Sequence, residues 1–339
     1  MTSPTALWRW LGAAAVAFLV VVSSSSIAVA QQPPAGQAPA QAGAQGAAQP
    51  HNLAPLWREV RSGEPGFTTI RGPEAGVLVQ SGGETWRELR NGPITFYGGL
   101  LLLIVPVAIL LFHMVKGQIK LDGPPTGRVI VRFNNWERLV HWLTAISFVM
   151  LALTGLTMFL GKYLILPLIG HAAFAWLVAF SKNFHNFLGF LFVVSLVLML
   201  ITFLRDNVWD PCDAIWIRKA GGLIKREHVP SKRFNFGEKT WYWFGVCFLG
   251  LTVAISGLVL VFPNFFDTRW AMQVANVVHL IAAILAFALA LGHIYMGTSG
   301  VEGAYQSMIT GEVDEIWARD HHELWLKEVN ARAAKGGAR

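Results

Sequence analysis

Four histidines lie inside the apolar segments of this 339-residue chain, where a bilayer normally excludes ionisable side chains. They are His141, His185, His279 and His293. The last two share one apolar run, where helical geometry puts them on nearly the same face and about 21 Å apart along the axis. A hydrocarbon layer is about 30 Å thick, so one histidine lies towards each surface. Histidine is the commonest metal ligand, and such pairs at two depths indicate two haem sites.

The composition is that of a membrane protein. Hydrophobic residues make up 54% of the chain, charged residues 14%, and the mean hydropathy is +0.46. The net charge of +7 comes from Lys and Arg in loops beside apolar segments, which indicates membrane orientation rather than a nucleic-acid surface. Two cysteines, Cys212 and Cys247, are too few for an iron–sulfur cluster.

The N-terminal third precedes the histidine-bearing segments and carries no catalytic pattern. Residues 1–30 combine Arg9, an apolar run and a small-residue cleavage pattern, which predicts a signal peptide. Residues 31–50 contain only Gln, Pro, Ala and Gly, and we expect a disordered leader. Residues 51–93 are predicted to form a small extracytoplasmic segment, and residues 94–115 a leading transmembrane helix.

The fold class predicted is an all-α membrane protein, a four-helix bundle with one extra N-terminal helix. After 94–115, the apolar runs are 137–160, 184–204, 240–262 and 273–297, each near the ~20 residues of a spanning helix. They define a four-helix domain at 129–330, followed by a flexible tail at 331–339. A further apolar stretch, 163–180, contains Pro167, Gly170 and His171 and is predicted to lie flat at the interface.

The distribution of Lys and Arg predicts the orientation. The loop at 205–239 is rich in both, whereas the loops on the opposite side offer only Lys162, Lys182 and Arg269. The positive-inside rule therefore places that loop and the C-terminus in the cytoplasm and the N-terminal segment in the periplasm. We expect a multi-pass protein of the bacterial inner membrane.

This orientation sorts the histidines into two pairs. His141 and His293 lie at cytoplasmic helix ends, and His185 and His279 lie near the external side. Two histidines per iron fill both axial positions, which favours electron transfer over oxygen chemistry. Glycines inside these helices allow close approach of a macrocycle, but ordinary helix packing is the preferred interpretation. These are Gly155, Gly189 and Gly257.

The remaining histidines are interpreted as structural. His113 has no evident partner, and the others fall in loops, at the interface or in the tail: His51, His171, His228, His321 and His322. Arg138 and Arg205 stand at cytoplasmic helix ends, where membrane anchoring is preferred over binding of haem propionates.

Several segments together resemble one known family. RLVHW at 138–142, HNFLG starting at His185, RFNFGEK at 233–239 and GHIYM at 292–296 are similar to the gamma subunit of membrane-bound respiratory formate dehydrogenase, a di-haem cytochrome b. The resemblance covers roughly 129–330. The preceding segments are additions to which it assigns no role.

The resemblance implies a route for electrons. A molybdenum or tungsten alpha subunit would oxidise formate outside the membrane, and an iron–sulfur beta subunit would pass electrons to two haems b. The outer haem would be held by His185 and His279, and the inner haem by His141 and His293. A quinone, menaquinone or ubiquinone, would be reduced near the inner haem on the cytoplasmic side, with Asn235 and Gly237 at its site.

Two alternatives remain open from the residues alone. The same di-haem cytochrome could serve a hydrogenase or a thiosulfate or polysulfide reductase, because no membrane residue names the electron donor. The chain could also be a cofactor-free transporter or membrane anchor whose histidines pair across helices or relay protons.

Overall fold

The computed structural model describes residues 54–62, 82–222, 227–266 and 268–336. The predicted signal peptide at 1–30, the predicted leader at 31–50 and His51 lie outside these ranges. The described residues from Leu56 onwards form one compact unit.

Helices dominate the described residues, and five of them are long and apolar enough to span a membrane. In chain order the helices are α1 (Ala54–Ser62), α2 (Gly83–Lys116), α3 (Asn135–Leu164), α4 (Leu166–Phe203), α5 (Pro211–Arg218), α6 (Phe236–Val261), α7 (Pro263–Phe266), α8 (Arg269–Gly300), α9 (Ala304–Ile309), α10 (Glu315–His321) and α11 (Glu323–Gly336). The five long ones are α2, α3, α4, α6 and α8, which confirms the predicted all-α bundle with one leading helix.

The leading helix α2 starts earlier than hydropathy predicts. It begins at Gly83 rather than at residue 94, because GETWREL contains good helix formers that a search for apolar runs does not detect. Pro93 is accommodated where the backbone widens into a π-helical turn at Arg90–Ile94.

The prediction that 163–180 lies flat at the interface is wrong. Residues 163 and 164 end α3, and the residues from Leu166 onwards enter α4, whose dihedrals are helical except at Gly170, at φ 76°. Beyond that kink no Gly or Pro follows until Gly189, so the helix continues without interruption from His171 to Phe203. The described residues still contain five helices long enough to span a membrane. At 1.5 Å per residue, the part of α4 after the kink is about 50 Å long, which exceeds a ~30 Å hydrocarbon layer.

A small cap covers one end of the bundle, and sequence analysis did not resolve its structure. β1 (Val129–Val131) and β2 (Glu312–Asp314) pair antiparallel, with Ile130 opposite Val313. Together with α9, α10 and α11 these strands form what we call the cap, and its apolar core includes Trp317 and Trp325. Helix α11 continues to Gly336 through most of the predicted flexible tail, because NARAAK is rich in helix formers.

Helices α3 and α6 begin with the same arrangement of hydrogen bonds, a capping box. Asn134 accepts from Glu137 N at 2.9 Å while the Glu137 carboxylate accepts from Asn134 N at 2.8 Å. At the start of α6, Asn235 and Glu238 make the equivalent pair of bonds at 3.0 and 2.8 Å. Such capping boxes satisfy backbone N–H groups that a helix start leaves free. They fix where α3 and α6 begin, and hence the height of every side chain above.

Helix α2 packs along α8, the helix that carries two of the four histidines. Near one end Gly98 allows close contact, since a Cβ there would lie 2.6 Å from Ile284 Cδ1. Near the other end His113 Nδ1 lies 3.2 Å from Tyr295 Oη. The structure thus gives His113 a partner that the sequence did not reveal.

Candidate functional site

The structure brings the four membrane histidines together as two separate pairs. The ring centres of His141 and His293 are 6.3 Å apart, and those of His185 and His279 are 6.2 Å apart. Helix α3 faces α8 in the first pair, and α4 faces α8 in the second. In the described residues no group of three or more His, Cys, Asp or Glu side chains could hold a metal ion, so each pair stands by itself.

The spacing within each pair suits two imidazoles that share one metal. With metal–nitrogen bonds of about 2 Å and ring centres about 1 Å behind the nitrogens, two opposed rings have centres about 6 Å apart. Both observed distances, 6.3 and 6.2 Å, agree with that separation. A haem iron with two axial histidines therefore fits either pair.

The outer pair, His185 and His279, is held by polar groups of the neighbouring helices. Thr154 Oγ1 lies 2.8 Å from His185 Nδ1. Ser256 Oγ and Val253 O each lie 3.1 Å from His279 Nδ1. In both rings the Nδ1 atom is engaged, which leaves Nε2 as the nitrogen for a ligand.

The glycines near this pair do not serve ordinary helix packing. A Cβ at Gly155 would lie 3.5 Å from His185 Cε1, and one at Gly257 would lie 3.2 Å from His279 Cε1. A Cβ at Gly189, one turn after His185, would meet no atom within 4 Å. The closer of these contacts, at Gly257, would be tight for a side chain, whereas the one at Gly155 is an ordinary van der Waals distance and Gly189 borders open space.

The inner pair, His141 and His293, is arranged differently. Nδ1 of His141 is buried, and no hydrogen-bond partner for it occurs in the described part of the chain. His293 stacks on Trp241 of α6, with ring centres 4.8 Å apart and planes 12° apart. His293 nevertheless remains exposed, so open space borders its ring. An unpaired nitrogen and adjacent space are features of a ligand site.

Asn235 and Gly237, predicted to contact quinone, lie at the start of α6, one turn before Trp241. The side-chain oxygen of Asn235 accepts the capping hydrogen bond from Glu238 N at 3.0 Å, so its amide Nδ2 is the group left for a ligand. The Cα of Gly237 faces Trp216 of α5, whose ring carbons would lie 3.2 Å from an added Cβ. The structure thus assigns Asn235 a capping role that the sequence analysis missed.

Charged residues of RFNFGEK make buried or partly buried ion pairs with the start of α3, the turn after α4 and helix α5. Arg233 binds Glu137 at 2.8 Å and also pairs with Asp206. Lys239 Nζ lies 2.8 and 3.0 Å from the two oxygens of Asp213, and both residues are buried. Removing one member of such a pair leaves an uncompensated charge, at a cost of about 3–5 kcal/mol.

Glu238, in the first turn of α6, pairs with a buried arginine. Its Oε1 accepts a hydrogen bond from Arg132 at 2.8 Å, and its side chain keeps 34% exposure whereas that of Arg132 keeps 4%. Arg132 also packs over the rings of Phe133 and Trp317. The carboxylate therefore faces open space on one side and a fixed guanidinium on the other.

The remaining polar residues considered from the sequence are Arg138, Arg205 and His228. Arg138 donates to the carbonyls of Met308 and Thr310 at 3.2 Å, and to that of Ile309, so it caps the end of α9. This contact is neither membrane anchoring nor the binding of haem propionates, the two roles considered for Arg138 from the sequence. Arg205 is exposed in a short turn after α4. His228 pairs with Asp122 at 2.7 Å.

Comparison with known proteins agrees with this geometry. Residues 132–311 match the family described as prokaryotic cytochrome b561. The formate dehydrogenase cytochrome b556(fdo) subunit of Escherichia coli K12 is 28% identical over 216 residues, which cover 61% of this chain and 96% of that protein. The nitrate-inducible formate dehydrogenase cytochrome b556(Fdn) subunit of the same organism is 27% identical over 220 residues, or 61% and 95% of the two chains. The formate dehydrogenase cytochrome b556 subunit of Haemophilus influenzae is 25% identical over 211 residues, or 59% and 83%.

The matched region includes both histidine pairs and extends over more than half of the chain, so the chain belongs to the prokaryotic cytochrome b561 family. Membership implies haem b and a multi-pass membrane protein. It argues against the cofactor-free transporter or anchor considered from the sequence.

Sequence analysis missed the side chains that surround the pairs. Thr154, Ser256 and Trp241 each contact a histidine of a pair, yet each is an ordinary residue for its position in a helix. The only available signal was the placement of Thr154 and Ser256 directly before glycines. That signal acquires meaning only when the opposite helix is known.

His322, in the cap, lies behind the Arg132–Glu238 pair. It is 1% exposed, its Nδ1 lies 2.6 Å from Lys232 O, and its Nε2 lies 3.2 Å from Arg132. Burial, with the Arg132 guanidinium second, lowers the pKa of His322 to about 3. The ring is therefore neutral in the folded protein.

This burial predicts a stability that falls in acid. Between pH values of about 6.5 and 3 the unfolded chain binds a proton at His322 and the folded chain does not, so stability drops by up to about 1.4 kcal/mol per pH unit as the pH falls. Thermal unfolding of the detergent-solubilised protein at several pH values should show a shallower acid loss for His322→Gln.

The contrasting variant is His228→Gln. The hydrogen bond that His228 Nδ1 donates to Asp320 O and the contact with the Asp122 carboxylate raise the pKa of His228. Its contribution to stability is therefore present in acid and is lost as the pH rises through the folded pKa. Its removal should steepen the acid loss. An unchanged pH profile in His322→Gln would contradict the prediction.

Proposed function

We propose that this chain is the membrane cytochrome b subunit of a respiratory formate dehydrogenase, passing electrons between two bis-histidine haems b to a quinone. The observation that carries the proposal is the presence of two histidine pairs with ring centres 6.3 and 6.2 Å apart. The relatives named above as formate dehydrogenase subunits supply the assignment of the complex. When bound, each haem supplies one-electron redox chemistry, and the chain itself performs no formate chemistry.

The pairs should behave as independent sites. The purified protein is expected to contain two low-spin haems b, by pyridine haemochrome assay and electron paramagnetic resonance, because both axial positions are taken by imidazole. His185→Ala and His279→Ala should each remove the same haem and largely spare the other, since no nearby side chain can replace a ligand.

His171→Ala is the matched control, because His171 belongs to the same helix as His185 but is exposed and far from both pairs. It should keep both haems. Equal loss of both haems from His185→Ala would refute the pairing, and so would their full retention.

We further propose that the cap, the loop at 205–239 and the C-terminus are cytoplasmic. The cap end carries the dense positive charge of 205–239, whereas the hairpin end offers only Lys162, Lys182 and Arg269. His141 and His293 then form the cytoplasmic pair, and His185 and His279 the periplasmic pair.

A reporter fused after Arg339 tests this orientation. A fluorescent protein should be bright there and alkaline phosphatase inactive, because the first folds in the cytoplasm and the second requires the periplasm. The same reporters fused before α2 should give the opposite result. An active phosphatase after Arg339 would reverse the sides assigned to both pairs.

The quinone site is proposed beside the cytoplasmic pair. Trp241 stacks on His293 at 4.8 Å, which places the start of α6 next to this pair, and Asn235 lies one turn and a half earlier. The amide Nδ2 of Asn235 supplies a donor for a quinone carbonyl, and Glu238 supplies a partly exposed carboxylate nearby. Protons for quinone reduction would come from the cytoplasm.

Replacing Asn235 by Ser separates its two roles. Serine still caps a helix, so the fold should be kept, but it lacks the amide donor. We expect Asn235→Ser to slow reoxidation of the reduced haems by quinone roughly tenfold, because losing one hydrogen bond costs about 1.4 kcal/mol. The haem spectra should be unchanged.

The control is Asn134→Ser, which alters an identical capping box at the start of α3. It should leave quinone turnover unchanged. If both variants slowed turnover equally, or neither did, Asn235 would have only its capping role.

The partners proposed are an iron–sulfur beta subunit and a molybdenum or tungsten alpha subunit on the periplasmic side. The end of the α3–α4 hairpin fits such contacts because it projects from the bilayer and exposes aromatic rings. Trp176 and Phe180 are 69% and 50% exposed and stack at 5.8 Å, and Phe180 stacks on Phe184 next to His185.

The identity of the electron donor is decided on the purified complex. Subunits that co-purify with the tagged chain should include an iron–sulfur protein and a formate-oxidising enzyme, and formate should reduce both haems. Reduction by hydrogen, or a thiosulfate- or polysulfide-reducing partner in place of the formate enzyme, would instead establish the alternative with the same haems and another donor.

A further inference from the structure

Two hydroxyl residues on helices α3 and α6 face the outer histidines from opposite sides. Thr154 Oγ1 lies 2.8 Å from His185 Nδ1, and Ser256 Oγ lies 3.1 Å from His279 Nδ1. Val253 O lies at the same 3.1 Å distance from His279 Nδ1. Each outer ring is thus met at Nδ1 by an oxygen that projects from a neighbouring helix.

The other hydrogen bonds of the two hydroxyls indicate that the histidine Nδ1 atoms are the donors. A hydroxyl has one proton to give, and that of Thr154 points to helix carbonyls, Met150 O at 2.9 Å and Leu151 O at 3.0 Å. That of Ser256 is likewise engaged by Thr252 O at 2.5 Å. Both oxygens can then only accept, so each histidine Nδ1 carries the proton. In a neutral imidazole Nε2 is then the unprotonated nitrogen, with its lone pair free for a metal.

The residue after each hydroxyl completes the arrangement. Gly155 and Gly257 leave the space in which the histidine rings lie, since added Cβ atoms would be 3.5 Å from His185 Cε1 and 3.2 Å from His279 Cε1. A larger residue would press on the ring that the hydroxyl orients. The Thr-Gly and Ser-Gly pairs therefore supply one contact and one gap each.

We propose that Thr154 and Ser256 are positioning residues that fix the tautomer and orientation of His185 and His279 and lower the reduction potential of the outer haem. An acceptor at Nδ1–H makes the imidazole a stronger electron donor, which favours the oxidised iron. The inference rests on the proposed function, because it requires that the outer pair holds a haem.

The inner pair lacks this support. Within the described ranges, no hydrogen bond to the ring nitrogens of His141 or His293 is found, and Nδ1 of His141 is buried without a partner. The outer haem should therefore have the lower potential and the inner haem the higher. Electrons entering at the outer site would then move inward downhill, which offsets the work of moving negative charge towards a negative interior.

The test is a redox titration of the intact complex, followed by haem absorbance, with Thr154→Val and Ser256→Ala. Each variant should raise the potential of the outer haem by an amount equivalent to about a tenfold change in its reduction equilibrium, or ~59 mV for one electron. The inner haem should keep its potential. His185→Ala, which should lack the outer haem, identifies which transition belongs to which site.

Matched controls separate positioning from a general effect of the substitution. Within the described residues, the hydroxyl of Thr157 bonds to Leu153 O at 2.9 Å and that of Thr252 to Phe248 O at 2.7 Å, and neither hydroxyl meets a histidine ring nitrogen. Thr157→Val and Thr252→Ala should therefore leave both potentials unchanged. Thr154→Ser keeps the accepting oxygen and should restore the parent potential.

The outcomes divide clearly. A rise confined to the outer haem, or loss of the outer haem alone in Thr154→Val with rescue by Thr154→Ser, supports the proposal. The proposal would be overturned by unchanged potentials, by equal shifts of both haems, or by an equal effect of Thr157→Val. This holds even if His185→Ala removes one haem and so supports the outer site itself. Retention of both haems in His185→Ala would refute the outer site itself.

Discussion

A polar side chain inside a bilayer is stable only where another group satisfies it, and the arrangement of this bundle follows from that constraint. The hydroxyls of Thr154 and Ser256 bond to carbonyls of their own helices and to the outer histidines. The inner histidines face each other across 6.3 Å, with one nitrogen of His141 left unpaired. A metal centre held by these histidines would satisfy what the protein alone leaves open, and its binding would then be coupled to the stability of the helix packing.

The heights of the pairs depend on charges at the end of the bundle that meets the cap. Arg233 joins Glu137 to Asp206, and Lys239 is buried against Asp213. These pairs tie the beginnings of α3 and α6 to the turn after α4 and to α5. The two capping boxes set the first turn of each helix. A segment that stands out in the sequence for its resemblance to one family thus acts largely as a scaffold. In the proposed quinone site this segment would contribute Asn235 and Glu238, and Trp241, which follows the segment, stacks on His293.

The leading helix α2 adds to this bundle without entering either pair. The match to the cytochrome b561 family begins at residue 132, after α2 has ended. Helix α2 lies along α8 through the contact of Gly98 with Ile284 and the hydrogen bond between His113 and Tyr295. It therefore covers one side of the helix that supplies a histidine to each pair.

The sequence by itself determined that the chain belongs in a membrane. It also predicted the five long helices found in the described residues and the four histidines that face each other in pairs. Apolar runs of about 20 residues and isolated imidazoles within them are local signals, and their spacing along one helix already separates two depths. Other features depended on contacts between distant residues. The continuation of 163–180 into α4, the strands of the cap, the capping role of Asn235, and the oxygens that meet His185 and His279 were decided by tertiary structure. Hydropathy records how a segment partitions into lipid, but which oxygen meets which ring nitrogen is fixed only when helices far apart in sequence pack against each other.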